Sequence, residues 1–328
     1  MESTFHVYFG PEALDTRVRV RKIEPRDCIA ALREGFDDFL AMPTHPVFVG
    51  IFYAIAGIVL VGLTSFSNAL HLVFPFATGF ALIGPFVAIG LYEMSRRRER
   101  GLPASWRDAF AVARSPALPS ILALGLLLFF IFAVWIGAAE LLYVWLYGLK
   151  PPAAALPFLG DVLTTGRGWA LILLGGLIGF AFATLTLCLS VVSFPLMLDR
   201  DVGLVPAVVA SLRTARDNPA AVAVWGLIVA AALILGSLPL FIGLALVMPV
   251  LGHATWRLYR RAIERDPAHE VPIAGPASAE EVTKNPVLRF VLIFVDLFQF
   301  LRRRKEWSPD ASNREAKAGA AKEQADES

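Results

Sequence analysis

The sequence predicts an all-α, polytopic membrane protein: six transmembrane helices arranged as three hairpins, each preceded by a short amphipathic interfacial helix. Three observations predict it. Apolar runs at roughly 46–66, 70–94, 118–148, 169–198 and 219–256 each reach the length needed to cross a bilayer. A hydrocarbon core about 30 Å thick takes about 20 helical residues. The last run is nearly double length and is divided by Gly236-Ser237-Leu238-Pro239, which makes six spans. The third observation is that almost every cation falls in segments on one side of those spans.

Composition excludes an ordinary soluble protein. The chain has 328 residues, 56% hydrophobic and 18% charged, with a mean hydropathy of +0.61. Cys28 and Cys188 lie in a polar N-terminal segment and inside a span, with no CxxC or Cys/His cluster, so neither a disulfide framework nor a zinc site is indicated. The N-terminal residues lack the layout of a cleavable signal peptide, and the first span reads as an uncleaved insertion signal.

The spans follow in order. Span one is 46–66, joined by the tight turn Ser65 to Asn68 to span two, 70–94, which carries Pro75 and Pro85. Spans three (118–148) and four (169–198) are long enough to tilt or overshoot the hydrocarbon layer. Spans five and six are 219–236 and 239–258. Of 30 Lys and Arg, only Lys150 and Arg167 lie in segments placed outside, whereas 96–117 alone holds Arg96, Arg97, Arg98, Arg100, Arg107 and Arg114. Cations are retained on the cytoplasmic side, so both termini are expected to be cytoplasmic.

Each hairpin follows an amphipathic stretch and a proline. The first stretch, Cys28 to Met42, has Ile29, Leu32, Phe36, Phe39 and Leu40 on one face and Arg33, Glu34, Asp37 and Asp38 elsewhere; Pro46 follows. The second, Trp106 to Arg114, is opened by Ser105-x-x-Asp108 as an N-terminal cap and followed by Pro116 and Pro119. In the third, Pro206 to Arg216, Val208, Val209 and Leu212 oppose Arg213 and Arg216, and Pro219 follows. Such stretches suit helices in the headgroup plane. The second helix of each hairpin carries a kink proline, Pro85, Pro195 or Pro249, which leaves the carbonyl of Ala81, Val191 or Ala245 without its helical bond. The pattern predicts an internal threefold repeat. Gly50-x-x-x-Ala54 and Gly175-x-x-x-Gly179 are spacings that let helices approach closely, read as packing within the chain.

Candidate functional residues are few. Glu140 is the one acid well inside an apolar run, about 33 Å along its helix and so near the outer interface. It reads either as a functional carboxylate or as one hydrated or bonded by Tyr143. Asp199-Arg200-Asp201 reads as a partner or ion site, against a solvated turn. Glu93 beside Arg96–Arg98 invites an ion pair, of little energetic weight if exposed. His253 sits in Gly252-His253-Ala254-Thr255-Trp256-Arg257, where Trp256 and Tyr259 look like an interfacial belt. His45 and His71 are single histidines without partner acids at catalytic spacing. No nucleophile elbow, HExxH, P-loop or dinucleotide fingerprint is present, so no enzyme, cofactor or metal is expected.

The organisation expected is a cytoplasmic segment 1–45, a membrane domain 46–263, a linker 264–285, a basic surface helix 286–307 and a disordered tail 308–328. In the surface helix, Arg302-Arg303-Arg304-Lys305 would be drawn to anionic headgroups. The bilayer and a possible protein are the partners expected, and nucleic acid is not.

The stretches Phe80-Ala-Leu-Ile-Gly-Pro-Phe86, Gly90-Leu-Tyr-Glu-Met-Ser-Arg-Arg-Arg98, Ser190-Val-Val-Ser-Phe-Pro195, Leu198-Asp-Arg-Asp-Val-Gly203, Trp225-Gly-Leu-Ile-Val229, and Gly236-Ser-Leu-Pro239 through Gly252-His-Ala-Thr-Trp256 resemble the "domain of unknown function 2189" family of bacterial integral membrane proteins over about 20–263. The resemblance implies a six-span inner-membrane protein and brings no established activity. The reading it leaves is a membrane-organising or partner-binding protein; the alternative is a small-solute transporter or channel with a site between hairpins.

Overall fold

The computed structural model describes residues 18–42, 57–58, 62, 70–72, 75–76, 84–104, 106–150, 152, 155–200, 202–238 and 243–273. All but three residues of the expected first span, nine residues of the second (73–74 and 77–83), the Gly50-x-x-x-Ala54 spacing, His45, and the basic surface helix and tail lie outside these residues. Contacts divide the chain into a unit Met1–Ala274 and a unit Gly275–Ser328, and all described residues belong to the first.

The described residues are helical, without extended strands; only isolated bridges pair Val20 with Ile263 and Arg200 with Glu270. We name the helices α1 (Pro25–Ala41), α2 (Ile89–Glu99), α3 (Leu118–Tyr147), α4 (Ala155–Thr164), α5 (Gly166–Ser190), α6 (Ser193–Asp199), α7 (Leu204–Asp217), α8 (Pro219–Ser237) and α9 (Leu244–Ala262). Proline in the first turn starts α1, α3 and α8, where its missing N–H costs nothing. Glu24 and Asp27 add a reciprocal capping box to α1.

Three stretches are long and apolar enough to cross a membrane: Leu118–Tyr147, Gly166–Asp199 (α5 continued by α6) and Pro219–Ser237. Their burial names their solvent. Of the apolar windows only 33%, 6% and 22% is buried within the protein, so Leu126, Phe130, Leu177, Phe180, Leu227 and Leu235 face outward. Large apolar side chains on so much of the helix surface need hydrocarbon around them. The inward stripe of α3, Ile121, Leu124, Leu128, Ile131 and Trp135, runs at helical spacing into a core with Leu91, Met94, Phe194, Trp225 and Leu258. Gly179 of α5 lies under Trp135 of α3, and Gly175 meets Leu142, so the Gly175-x-x-x-Gly179 spacing seats one helix of the chain on another.

Several elements depart from expectation. The segment corresponding to span six is α9, whose C-terminal half carries Arg257, Arg260 and Arg261 and is buried at His253, Trp256 and Tyr259. With three arginines it is not among the stretches apolar enough, by composition, to cross a membrane. Trp106–Arg114 is a 3-10 helix, and Asp108 pairs with Arg97 at 3.0 Å. Helix α4, between spans three and four, was not foreseen. The prolines act unequally: the helix breaks at Val191–Val192 ahead of Pro195, Pro85 sits in a short turn Gly84–Val87 before α2, and Pro249 lies inside an uninterrupted α9.

The amphipathic helices use their small residues for docking. Helix α1 buries Cys28, Ala31, Gly35, Asp38 and Phe39, chiefly against α9. A Cβ at Gly35 would come within 2.4–2.6 Å of Ala254, so glycine alone permits this approach. Helix α7 likewise buries Ala207, Ala210, Ser211 and Thr214.

Candidate functional site: a buried arginine cluster

The arginine-rich ends of the helices converge. On α2, Glu93 stands three and four residues before Arg96 and Arg97, one helical turn, so both guanidinium groups reach its two oxygens at 3.1 Å. The expectation of an exposed, weak pair is corrected here: Glu93, Arg96 and Arg97 are all buried. Arg98 points to the other side of the helix and donates to Asp38 of α1. On α9 the same geometry recurs. Arg257 grips Asp38 with bonds of 2.9 and 2.6 Å, Arg260 grips Asp199 of α6 at 2.7 and 3.1 Å, and Arg261 grips Glu34 of α1 at 2.9 and 2.5 Å. Each is a bidentate fork, the strongest form of carboxylate pairing.

Asp199 is fully buried. Besides Arg260 it accepts from the Tyr259 hydroxyl at 2.7 Å, with Arg96 and Arg100 at 3.7 and 3.9 Å, while its carbonyl accepts from Val271 N–H at 2.7 Å. Arg200 is buried too and donates to the Glu264 carbonyl. The solvated turn expected at 199–201 is thus corrected for Asp199 and Arg200; Asp201 lies outside the described residues. Trp256 and Tyr259, expected as an interfacial belt, are also interior. Trp256 donates from Nε1 to Glu99 at 2.9 Å and lies 4.7 Å beneath the Arg260 guanidinium. The first residues of the expected linker are held in place by Glu270, which bonds Arg100 at 2.8 Å and Arg265 at 2.7 Å.

His253 closes the cluster on the inner side. Its Nδ1 lies 2.6 Å from Ser95 Oγ, and that hydroxyl donates to Asp38 Oδ2 at 3.0 Å. With the hydroxyl proton on the aspartate, Nδ1–H must be the donor to Oγ, which leaves Nε2 with its lone pair. Serine stands between acid and imidazole, an order unlike that of a nucleophile triad. Among the described residues no group of three His, Cys, Asp or Glu could hold a metal ion. Electrostatics outside the spans follows the pairing. Arg261 holds the Glu34 carboxyl below its usual value, Arg265 does the same for Glu270, and burial pushes the Cys28 thiol up to about 11.

The far end of α3 carries a second, smaller group. Glu140 Oε2 lies 2.6 Å from His71 Nε2, and the His71 ring stacks on Tyr143 at 4.0 Å. Tyr143 is therefore the neighbour of Glu140's partner, donating its own hydroxyl to the Lys150 carbonyl at 2.9 Å. Beyond it, Arg167 lies over Tyr147 and forks onto Asp161. The His71–Glu140 pair was not found by sequence reasoning: 69 residues separate the two, and they come from different expected hairpins. The two polar groups are at opposite ends of the spanning helices, and no contact joins Glu140 to Asp199 or His253.

Lipid-facing helices sealed at one end by charge describe a membrane protein, and comparison with known families agrees. Residues 73–199 match the model of the family described as "Predicted integral membrane protein (DUF2189)". The match takes in α2 to α6, with Glu93, Arg96–Arg98, Glu140 and Asp199 inside it and α1 and α9 beyond it. Among curated proteins and among solved structures, nothing matches this chain significantly.

Proposed function

We propose that the chain is a membrane-organising or partner-binding protein of a bacterial inner membrane, built from three similar hairpins of six spans in all, with both termini cytoplasmic. One observation carries the reading. The carboxylates of Asp38 and Asp199 are both buried, and each is gripped by arginines from two or more segments, tying α1, α2, α6 and α9 at one end. Removing one partner of such a pair strands a buried charge at a cost of about 3–5 kcal/mol, so these helix ends move as a unit. A scaffold is served by that rigidity; a carrier that rocks between two states must break it. The concentration of arginine at this end supports a cytoplasmic placement.

Reconstitution tests the reading. Purified protein in proteoliposomes is expected to pass none of a broad panel of ions, sugars, amino acids and organic acids above empty vesicles. Saturable flux of any of them would replace the scaffold with a transporter. The observation in favour of transport is the His71–Glu140 pair, whose carboxylate is 44% exposed; Glu140→Ala would then abolish the flux.

A further inference from the structure

The segment after α9 forms a strap across the arginine cluster. It is pinned first at Ile263 and Glu264, which pair through the backbone with Val20 and Arg19. It then swings out through the exposed turn Pro267–His269 and returns to the end of α6 at Glu270 and Val271. There Val271 N–H donates to the Asp199 carbonyl at 2.7 Å, and Arg96 donates to the Val271 carbonyl.

Three guanidinium groups from separate places in the chain converge on the Glu270 carboxylate. Arg100, just past α2, reaches it at 2.8 Å, Arg265 at 2.7 Å and Arg260 of α9 at 3.7 Å. The carboxylate is only 9% exposed, whereas Arg265 is 51% exposed and forms an edge open to solvent. The cations have other supports. Arg260 is held by Asp199 and Glu99 and lies over Trp256, and Arg100 stands 3.9 Å from Asp199. The place that Glu270 fills is therefore built without it.

The cluster is also short of acceptors. Among the described residues, the Nε–H donors of Arg96, Arg100 and Arg200 are buried and meet no hydrogen-bond acceptor. For Arg96 and Arg200, Nε comes no nearer to the Asp199 carboxylate than 3.7 and 4.0 Å. Buried donors left unpaired are costly, and several together call for an acceptor. Charge points the same way. Around Asp199 and Glu270 five arginines meet four carboxylates, Glu93 and Glu99 being the other two. Of the four, Glu270 alone is carried by a loop, and without it the excess of cations is two.

We infer that Glu270 is a resident stand-in for a phosphate dianion, and that such a group, free in solution or terminating a lipid headgroup, displaces it from Arg100, Arg260 and Arg265 and loosens the strap. A phosphomonoester carries about two negative charges and three strong acceptor oxygens, so it supplies both the charge and the acceptors that one carboxylate lacks. Guanidinium groups match phosphate as they match carboxylate, through paired N–H donors. With Glu270 displaced, the strap loses its arginine contacts and is held by the backbone bonds of Val271. The inference goes beyond the scaffold reading and does not rest on it: Asp38 and Asp199 stay gripped whether the strap is closed or loose, and its test involves no solute flux.

Calorimetry and amide hydrogen exchange on the full chain decide it. In detergent at constant ionic strength, inorganic phosphate is expected to bind and to speed exchange across 266–272 severalfold, while α9 is unchanged. Nanodiscs of phosphatidylcholine with phosphatidic acid, compared with phosphatidylcholine alone, ask the same of a headgroup phosphate. A response to either probe supports the inference and identifies the source. Glu270→Gln keeps the size and removes the resident anion. It is expected to bind the active probe severalfold more tightly, with a strap that exchanges fast even before the probe is added. Arg265→Gln is expected to loosen the strap and to weaken the probe severalfold. Exchange no faster with both probes than with added chloride would overturn the inference, as would Glu270→Gln binding no more tightly than the unaltered chain. If Glu270→Gln fails to accumulate, Arg265→Gln still decides, because a looser strap with undiminished probe affinity would equally overturn it.

Discussion

Asp199 shows how much one carboxylate can hold. Its oxygens take the Arg260 fork and the Tyr259 hydroxyl, and the residue is fully buried, so protein groups surround its charge. Asp199→Asn keeps the size but removes the charge that the Arg260 fork closes on, leaving Arg260 with Glu99 and Glu270. It is expected to destabilise the detergent-solubilised protein by about 3–5 kcal/mol, read from thermal unfolding by tryptophan fluorescence. Asp161→Asn, at the solvent-exposed fork with Arg167, should leave the same transition unmoved. Acid tests the cluster differently. Glu34 and Glu270 titrate below their ordinary value in the folded chain. The unfolded chain therefore binds more protons just below pH about 4.3, so the stability these groups confer is complete above that pH and is lost as pH falls through their folded values. Unfolding midpoints measured from pH 7 down to 3 should fall in that window, and Glu34→Gln should flatten part of the fall.

At the level of helices, packing rests on small residues at close approaches. Gly35→Leu should lift α1 from α9, because even a Cβ meets the Ala254 backbone. The expected cost is about 1–3 kcal/mol, with release of Glu34 and Asp38 seen as trypsin cleavage at Arg33. Gly137, in α3, has nothing within 4 Å of its would-be Cβ, and Gly137→Ala should be neutral or slightly stabilising in the same assay. Legibility in the sequence divides along this line. Run length and proline at the first turn were enough to place α3 and α8 within a residue or two, because hydrocarbon thickness and the proline ring act locally. The arginines of α2 were visible as a cluster, and the spacing of Glu93 to Arg96 and Arg97 allowed their pairing to be read. Burial was not legible: whether that pair faces water depends on α6 and the segment 264–273 covering it. Nor were Asp38 with Arg257, or His71 with Glu140, since no local rule links residues 219 and 69 positions apart. The 3-10 winding of Trp106–Arg114 and the helix α4 were hidden for the same reason: each is decided by what it docks on.

Across the whole molecule, the polarity of charge is the property that orients it. With both Cys28 and Cys188 replaced, a cysteine at Leu159, in α4, is expected to react with a membrane-impermeant maleimide in intact cells, and one at Leu102, in the turn after α2, only after lysis. The reverse pattern would invert the topology proposed above. The helical, membrane-spanning character of the chain, in contrast, needed no tertiary information, since a chain of this hydropathy has few alternatives to lipid-facing helices.

The grip of Arg257 on Asp38 has a consequence for biosynthesis. Asp38 leaves the ribosome early, yet its partner is encoded 219 residues later, after the three apolar stretches that end at Ser237. Until α9 emerges, the nascent chain holds an aspartate that Ser95 and Arg98 alone can accommodate. The N-terminal helix therefore stays without its main docking partner through the insertion of the bundle. It is seated only by the last helix made, so a polypeptide truncated before Leu244 would present quality-control proteases with an undocked amphipathic arm.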